Sequence, residues 1–334
     1  MGFTSRLGQS LTAKEIFDLV KDDLKQVEKE LTAESVASVE AVTSIARHLQ
    51  ASGGKRLRPT MLLLAARMIG PTTPGTIRMA AVMEMIHAAT LIHDDVIDMA
   101  ETRRGRASSN VVWGNHISVL AGDWLYMQAF QIALRERKFH LLDLLINLTQ
   151  MMVEGELLQL ERIGKIDISE ADYMQLIDRK TACLFSACSK VGSHMAGADD
   201  ATESRLGEFA WNLGIAFQLV DDILDFTARE TILGKPTGND LREGKVTLPL
   251  IYALKDADAG ERQMIAQVLA DRSYERVSFS KVLRIIDRHK GVERVRERAA
   301  DFVERARAII AEFPDSPYQR ALTAVTDLVI HRDR

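Results

Sequence analysis

Apolar residues recur every three or four positions through almost the whole of this sequence, the spacing of helices that bury one face. Val36, Val39, Val42, Ile45 and Leu49 form one stripe. Met79, Val82, Met83 and Ile86 form another, which runs into Leu91-Ile92-His93-Asp94-Asp95-Val96-Ile97-Asp98. Residues 141–160 and 173–195 read as long helices, and Leu206, Phe209, Leu213, Phe217 and Val220 mark one that ends near Phe226. Further helices are expected over 123–134, 245–255, 278–289, 292–313 and 317–331. No stretch alternates apolar and polar residues as a strand would. The longest irregular segment, 228–244, is rich in glycine and charge. Length alone suggests about two domains. With no Pro/Gly/Ser linker between helices, the expectation is instead one all-α domain over residues 1–334, a large helical bundle around a central cavity.

Composition narrows the class. Only 7 prolines and 20 glycines occur, and the 46% of hydrophobic residues include no run near the roughly 18 that a membrane span needs. The first ten residues have no hydrophobic secretory core, and Arg6 stands where a myristoylation signal needs Ser or Thr. Cys183 and Cys188 fall in one predicted helix, which argues against a disulfide framework and for a reducing, cytoplasmic setting. A net charge of −4 argues against bulk binding to nucleic acid. Positive charge is instead local, in Lys55-Arg56-Leu57-Arg58 and Arg103-Arg104-Gly105-Arg106, which suits a small anionic ligand.

Two acidic motifs stand out, Asp94-Asp95-Val96-Ile97-Asp98 and Asp221-Asp222-Ile223-Leu224-Asp225. Helical residues four apart share a face, so Asp94 projects with Asp98 and Asp221 with Asp225. Carboxylates so close repel unless a cation lies among them, and at a helix C-terminus the macrodipole disfavours them further. Oxygen-only donors select hard cations such as Mg²⁺, which keeps water and phosphate oxygens in its shell. Solvated surface is the plain alternative for one such motif. Two copies beside apolar residues, Leu91-Ile92 and Leu219-Val220, point to a cleft instead.

Each acidic motif has basic company. Gly53-Gly54-Lys55-Arg56-Leu57-Arg58-Pro59 reads as a flexible loop leading into a helix, with Lys55 and Arg58 available to phosphate oxygens. Arg103 and Arg104 follow the first motif, and Lys235 and Lys245 follow the second. His87 lies two turns before Asp94 on the same face, and Gln218 precedes Asp221 and Asp222 by three and four residues. Glu154 and Glu156 read as solvated surface in preference to a supporting role in the site.

In order, GGKRLRP, HDDVID, RRG, KTA, FQLVDDILD and KPTGNDL…GK resemble the motifs of the trans-polyprenyl diphosphate synthase (polyprenyl synthetase) family, over residues 53–250. The resemblance implies the isoprenoid synthase fold, a homodimer and a cavity that receives a growing isoprenoid, with peripheral membrane contact as one route for product release. It implies Asp94, Asp95 and Asp98 as a first catalytic metal set and Asp221, Asp222 and Asp225 as a second, with Mg²⁺ on Asp94, Asp98 and Asp221. Lys55, Arg58, His87 and Arg104 match the isopentenyl diphosphate site. Arg103, Lys180, Thr181, Gln218, Lys235 and Lys245 match the allylic diphosphate site. The implied reaction is ionisation of an allylic diphosphate, such as farnesyl diphosphate, then repeated condensation with isopentenyl diphosphate. Phe217 is placed either in the core or against the allylic cation. No departure from the catalytic pattern suggests an inactive subunit.

Product length is sought below the first motif. Thr90 and Ile86 lie one and two turns before Asp94, and Ala89 five residues before it, about 7.5 Å along the helix axis. Short-chain members of the family carry an aromatic ring near this level. Small Ala89 and Thr90 therefore suggest a long product of octaprenyl type for quinone side chains. Trp124, Tyr126, Met127 and Phe130 are candidates for the next obstruction. A medium-chain, geranylgeranyl product is the alternative. A terpene cyclase would replace the second aspartate motif, an HD-type phosphohydrolase needs clustered histidines, and a non-catalytic partner subunit would lack a motif that is present here.

Overall fold

The computed structural model describes residues 11–51, 53–54, 56–227 and 237–331. It is almost wholly helical. In chain order the helices are α1 (Ala13–Leu19), α2 (Lys21–Glu34), α3 (Glu40–Ala51), α4 (Leu57–Ile69), α5 (Pro74–Ile97), α6 (Ser109–Trp113), α7 (Asn115–Arg135), α8 (Phe139–Arg162), α9 (Glu170–Ile177), α10 (Cys183–Met195) and α11 (Asp200–Thr227). After residue 236 come α12 (Asn239–Arg242), α13 (Leu248–Asp256), α14 (Ala259–Asp271), α15 (Phe279–Arg288), α16 (Gly291–Ile310) and α17 (Pro317–Ile330).

Burial decides which helices are central. From Gly75 to Ile86 nearly every side chain of α5 is buried, so this helix is apolar all round and is covered by neighbours on every side. Its start is fixed by Thr73, which caps Thr76, with Pro74 at the first helical position. Helix α11, 28 residues long, is buried on most of its surface as well, against α10 and α16. Helix α10 packs on both α4 and α11, and α7 lies along α5. The two motif-bearing helices are thus held from within the core, and their C-terminal ends meet at one cavity.

Three local expectations need correction. Val36 and Val39 are each 59% exposed and precede α3, because the chain at 36–39 is irregular and Thr43 Oγ1 accepts from the Ala37 N–H. A short strand pair exists after all: Thr102–Arg103 pairs antiparallel with Arg106–Ala107. Its two-residue loop, Arg104 (φ 53) and Gly105 (φ 75), has the positive φ at both positions that matches the twist of a tight hairpin. Finally, the helix expected over 173–195 is interrupted by a π-helical turn, Asp178–Ala182.

That π-turn is where the fold most directly shapes the site, as such turns often do. It carries Lys180 and Thr181. Two glycines let neighbouring helices close on it. A Cβ on Gly155 of α8 would sit 3.0 Å from the Lys180 nitrogen, and one on Gly214 of α11 would sit 2.8 Å from the Ala182 Cα. The Trp211 indole N–H adds a 2.5 Å hydrogen bond to Asp178 Oδ1. Because backbone is the obstacle, Gly214→Ala should cost about 1–3 kcal/mol of overpacking. A melting temperature equal to that of the parent would show that the turn has room to shift.

Candidate active site

The cavity has a volume of about 690 Å³. Its lining includes Asp94 and Asp98 from the end of α5, Lys180 and Thr181 from the π-turn, Gln218, Asp221 and Asp222 from α11, Asp240 from α12 and Lys245 beyond it. Arg58, His87 and Arg103 line another part of it. Arg104 lies beside a smaller adjoining pocket, which shares His87 and Arg103 with the main cavity. Lys55 and Lys235 lie outside the described residues.

The six aspartates do different things. Asp95 is fully buried and accepts from Arg103 Nε at 2.8 Å and Nη2 at 2.5 Å, both at Oδ1, so it does not line the cavity. Asp225, also buried, accepts from the backbone N–H groups of Asn239 (3.3 Å) and Asp240 (3.2 Å), fastening the start of α12 onto α11. Asp222 is buried and accepts from Tyr173 Oη and, at 2.8 Å, from Gln218 Nε2. Gln218 Oε1 in turn accepts from Thr181 Oγ1 at 2.9 Å, so α11 and the π-turn share one chain of hydrogen bonds. Of the six, Asp94, Asp98 and Asp221 are the partly exposed ones in the lining.

Cations are held in place by anions of the same wall. Lys180 Nζ lies 2.5 Å from Glu156 Oε2 and donates to Gln159 Oε1 at 3.0 Å. Lys245 Nζ donates to Asp98 at 3.1 Å and to Glu243 at 2.7 Å, joining the first acidic motif to the segment after the second. Glu156, expected at the solvated surface, is therefore part of the cavity wall. The sequence also gave no sign of Gln159 or Tyr173, whose partners lie 21 and 49 residues away. Asp240 stood inside the KPTGNDL stretch and was legible there.

The electrostatics separate two regions. Burial, helped by Glu156 and Asp98, pushes Asp94 up to about 6 from an ordinary 3.8, against the nearby Lys180 charge. Burial also raises Asp222 well above the carboxylate range, with Asp240 adding to it. At the other region, burial and the surrounding Arg58, Arg104, Arg103 and Arg56 hold His87 well below the ordinary imidazole range, so it is neutral. Arg58 stacks 5.6 Å over Phe185, and its buried Nε has no hydrogen-bond partner among the described residues. Arg56, a residue without a role in the sequence reading, is the pillar of this corner: its guanidinium bonds Glu28 and Glu84. One region has an excess of carboxylate and the other an excess of guanidinium.

A divalent cation fits the first region on the chemistry of its donors, which are all carboxylate oxygens, and on the raised Asp94. Among the described residues the aspartate oxygens do not converge as a trio within 4.8 Å of one another. That spacing suits a hard ion that takes one or two carboxylates and fills its shell with water and phosphate oxygens.

Away from the charges the cavity is lined by Thr90, Leu91, Val119, Tyr126, Met152, Val153, Leu157, Leu160 and Phe217. Thr90 is on this wall, whereas Ala89 and Ile86 are fully buried behind it. Of the four candidate obstructions, Tyr126 alone lines the cavity; Met127 is 63% exposed, and Trp124 and Phe130 pack against the core. Phe217 lines the cavity and packs at 5.2 Å on Phe185.

Comparison with known proteins shows the family. The polyprenyl synthetase family model matches residues 39–286. An octaprenyl diphosphate synthase of Haemophilus influenzae is 36% identical over 323 residues, 97% of this chain and 98% of that protein. An all-trans-nonaprenyl-diphosphate synthase (geranyl-diphosphate specific) of Rhodobacter capsulatus is 36% identical over 96% of this chain and 98% of its own. The crystal structure of a polyprenyl synthase from Caulobacter crescentus, complexed with calcium and isoprenyl diphosphate, superposes with a TM-score of 0.92 at 35% identity, covering 98% of this chain and 99% of that one. The chain belongs to the polyprenyl synthetase family and is a prenyltransferase with the all-α isoprenoid synthase fold.

Proposed function

We propose that the protein elongates an allylic diphosphate with isopentenyl diphosphate, using Mg²⁺, to a long all-trans-polyprenyl diphosphate, of octaprenyl type, for quinone side chains in the cytoplasm. The observation that carries this reading is the division of one cavity into a carboxylate region, a guanidinium region and an apolar wall. Mg²⁺ held by Asp94, Asp98 and Asp221 supplies charge neutralisation for a departing diphosphate. Lys180, Thr181, Gln218, Lys245 and Arg103 orient that diphosphate, with Lys235 as a further candidate. Their preset contacts with Glu156, Asp222, Asp98 and Asp95 fix donors where negative charge develops. Arg58, His87 and Arg104, with Lys55, take the diphosphate of the second substrate. Neutral His87 offers it an N–H without adding charge. Asp95, Asp222 and Asp225 support the site by the contacts described. The apolar wall keeps water from the allylic cation while the double bond attacks.

Both curated relatives named above carry long-chain names, which supports the long product, and Thr90 on the wall leaves the route past Asp94 open. A homodimer is supported by two exposed apolar stripes. Leu120, Met127 and Leu134 on α7, and Phe139, Ile146, Val153 and Leu160 on α8, are exposed at seven-residue spacing, the pattern of a helix–helix seam. Val153, Leu157 and Leu160 also line the cavity, so a second copy packed there would close its side. None of the described helices is long and apolar enough to cross a membrane.

Incubation with Mg²⁺, farnesyl diphosphate and labelled isopentenyl diphosphate should give one long labelled product on reverse-phase chromatography; absence of condensation by the pure protein would overturn the proposal. Asp94→Asn should lower turnover by about 10²–10³, the scale for one lost charge-stabilising group. The same variant carries a stability signature. A carboxyl raised from 3.8 to about 6 binds more protons folded than unfolded, so its contribution falls as pH rises across that window. In chelator, Asp94→Asn should therefore melt above the parent at pH 7, and the gap should shrink toward pH 4. Thr90→Phe should shorten the product, and more than Ala89→Phe, whose ring must first displace core neighbours; equal product lengths in Thr90→Phe and the parent would remove Thr90 from the shaft. Ile146→Asp should shift the species seen by light scattering from dimer to monomer.

A further inference from the structure

Away from the cavity, the first turn of α8, the last turn of α10 and the first turn of α11 bring together His140, His194 and Glu203. His140 Nε2 lies 2.8 and 3.0 Å from the two carboxylate oxygens of Glu203, and His194 Nδ1 lies 3.1 Å from Oε2. The two imidazole centroids are 4.7 Å apart. One ligand atom from each residue falls within 4.8 Å of the other two, a grouping of His, Cys, Asp or Glu that occurs once among the described residues.

We propose that this trio is a second metal site, one that takes a divalent transition-metal ion of the Zn²⁺ class and is independent of the carboxylate site in the cavity. Two imidazoles and one carboxylate are the donors such ions favour, whereas Mg²⁺ prefers oxygen alone. Ligands at about 2.0–2.1 Å around a tetrahedral ion stand roughly 3.3–3.5 Å apart. The His–Glu contacts of 2.8–3.1 Å would open slightly to admit it, with the two ring nitrogens, which lie within 4.8 Å of one another, settling at the same spacing. Glu203 is 6% exposed and anchored in the core, while the His140 side chain is 46% exposed and leaves an entry path. Proton balance is simple: in a neutral ring the proton now shared with Glu203 moves through solvent to the other ring nitrogen, and the freed lone pair turns to the ion. Lys138 opposes the ion by its charge from outside the trio.

The site would tie three helices that carry the cavity without touching it. Its occupancy should therefore appear in stability rather than turnover. Tag-free protein in excess Mg²⁺, which saturates the oxygen site, is titrated with Zn²⁺ or Co²⁺ and dialysed, and bound metal is counted by mass spectrometry. The expected result is one ion per chain, a raised melting temperature, visible ligand-field bands with Co²⁺, and unchanged condensation rate. His140→Ala, at an exposed helix start, should weaken binding by at least about tenfold, the lower end for groups that merely support a ligand. Glu203→Gln and His194→Ala should do the same, and if either fails to fold, His140→Ala alone decides. No retained ion in the parent, or retention equal in the parent and His140→Ala, would overturn the proposal, leaving Glu203 as an acceptor for two imidazoles.

Discussion

Carboxylates at the ends of two buried helices repel one another, and much of the polar contact around the cavity answers that repulsion. Arg103 takes Asp95, Lys245 takes Asp98, and Tyr173 with Gln218 takes Asp222. Asp225 is absorbed by two backbone N–H groups. The apolar packing of α5 and α11 forces the acids together, and a buried charge is tolerable only when paired or hydrogen-bonded. Asp94 shows what remains of the cost, with its carboxyl displaced to about 6. A cation is the natural partner for that residue of unfavourable energy.

On the proposed function, the same contacts organise substrate binding. A lysine already held by Glu156 or Glu243 loses less freedom when a phosphate arrives than a free side chain would. The π-turn sharpens this, because it is gripped by Gly155, Gly214 and Trp211 and so presents Lys180 and Thr181 on rigid backbone. The guanidinium corner works by the opposite imbalance. Arg56 is neutralised by Glu28 and Glu84, while the buried Nε of Arg58 has no partner among the described residues and the neighbouring arginines keep His87 neutral. The structure thus sorts one like-charged cluster from the other within one cavity.

Much of this was legible in the sequence, and the limits are instructive. Helices and their order followed from periodicity, since a buried helix needs apolar residues at fixed intervals. Where periodicity was weak it misled: Val36 and Val39 continue the stripe but not the helix. The π-turn gave no periodic sign because it adds a single residue to a continuing helix. Glu156 looked like surface because local spacing cannot report that Lys180 will fold back onto it.

The sequence by itself determined that the chain is all-α, that two aspartate motifs each have basic residues nearby in the chain, and that the residues at 89 and 90 are small. Those properties depend on residue type and short spacing. Only the tertiary structure decided that Asp94, Asp98 and Asp221 line the cavity while Asp95 and Asp225 turn to hold the scaffold, and that Ala89 stands behind Thr90. Adjacent aspartates are chemically identical until packing fixes the rotation of each helix about its axis, and that rotation comes from contacts far away in the chain.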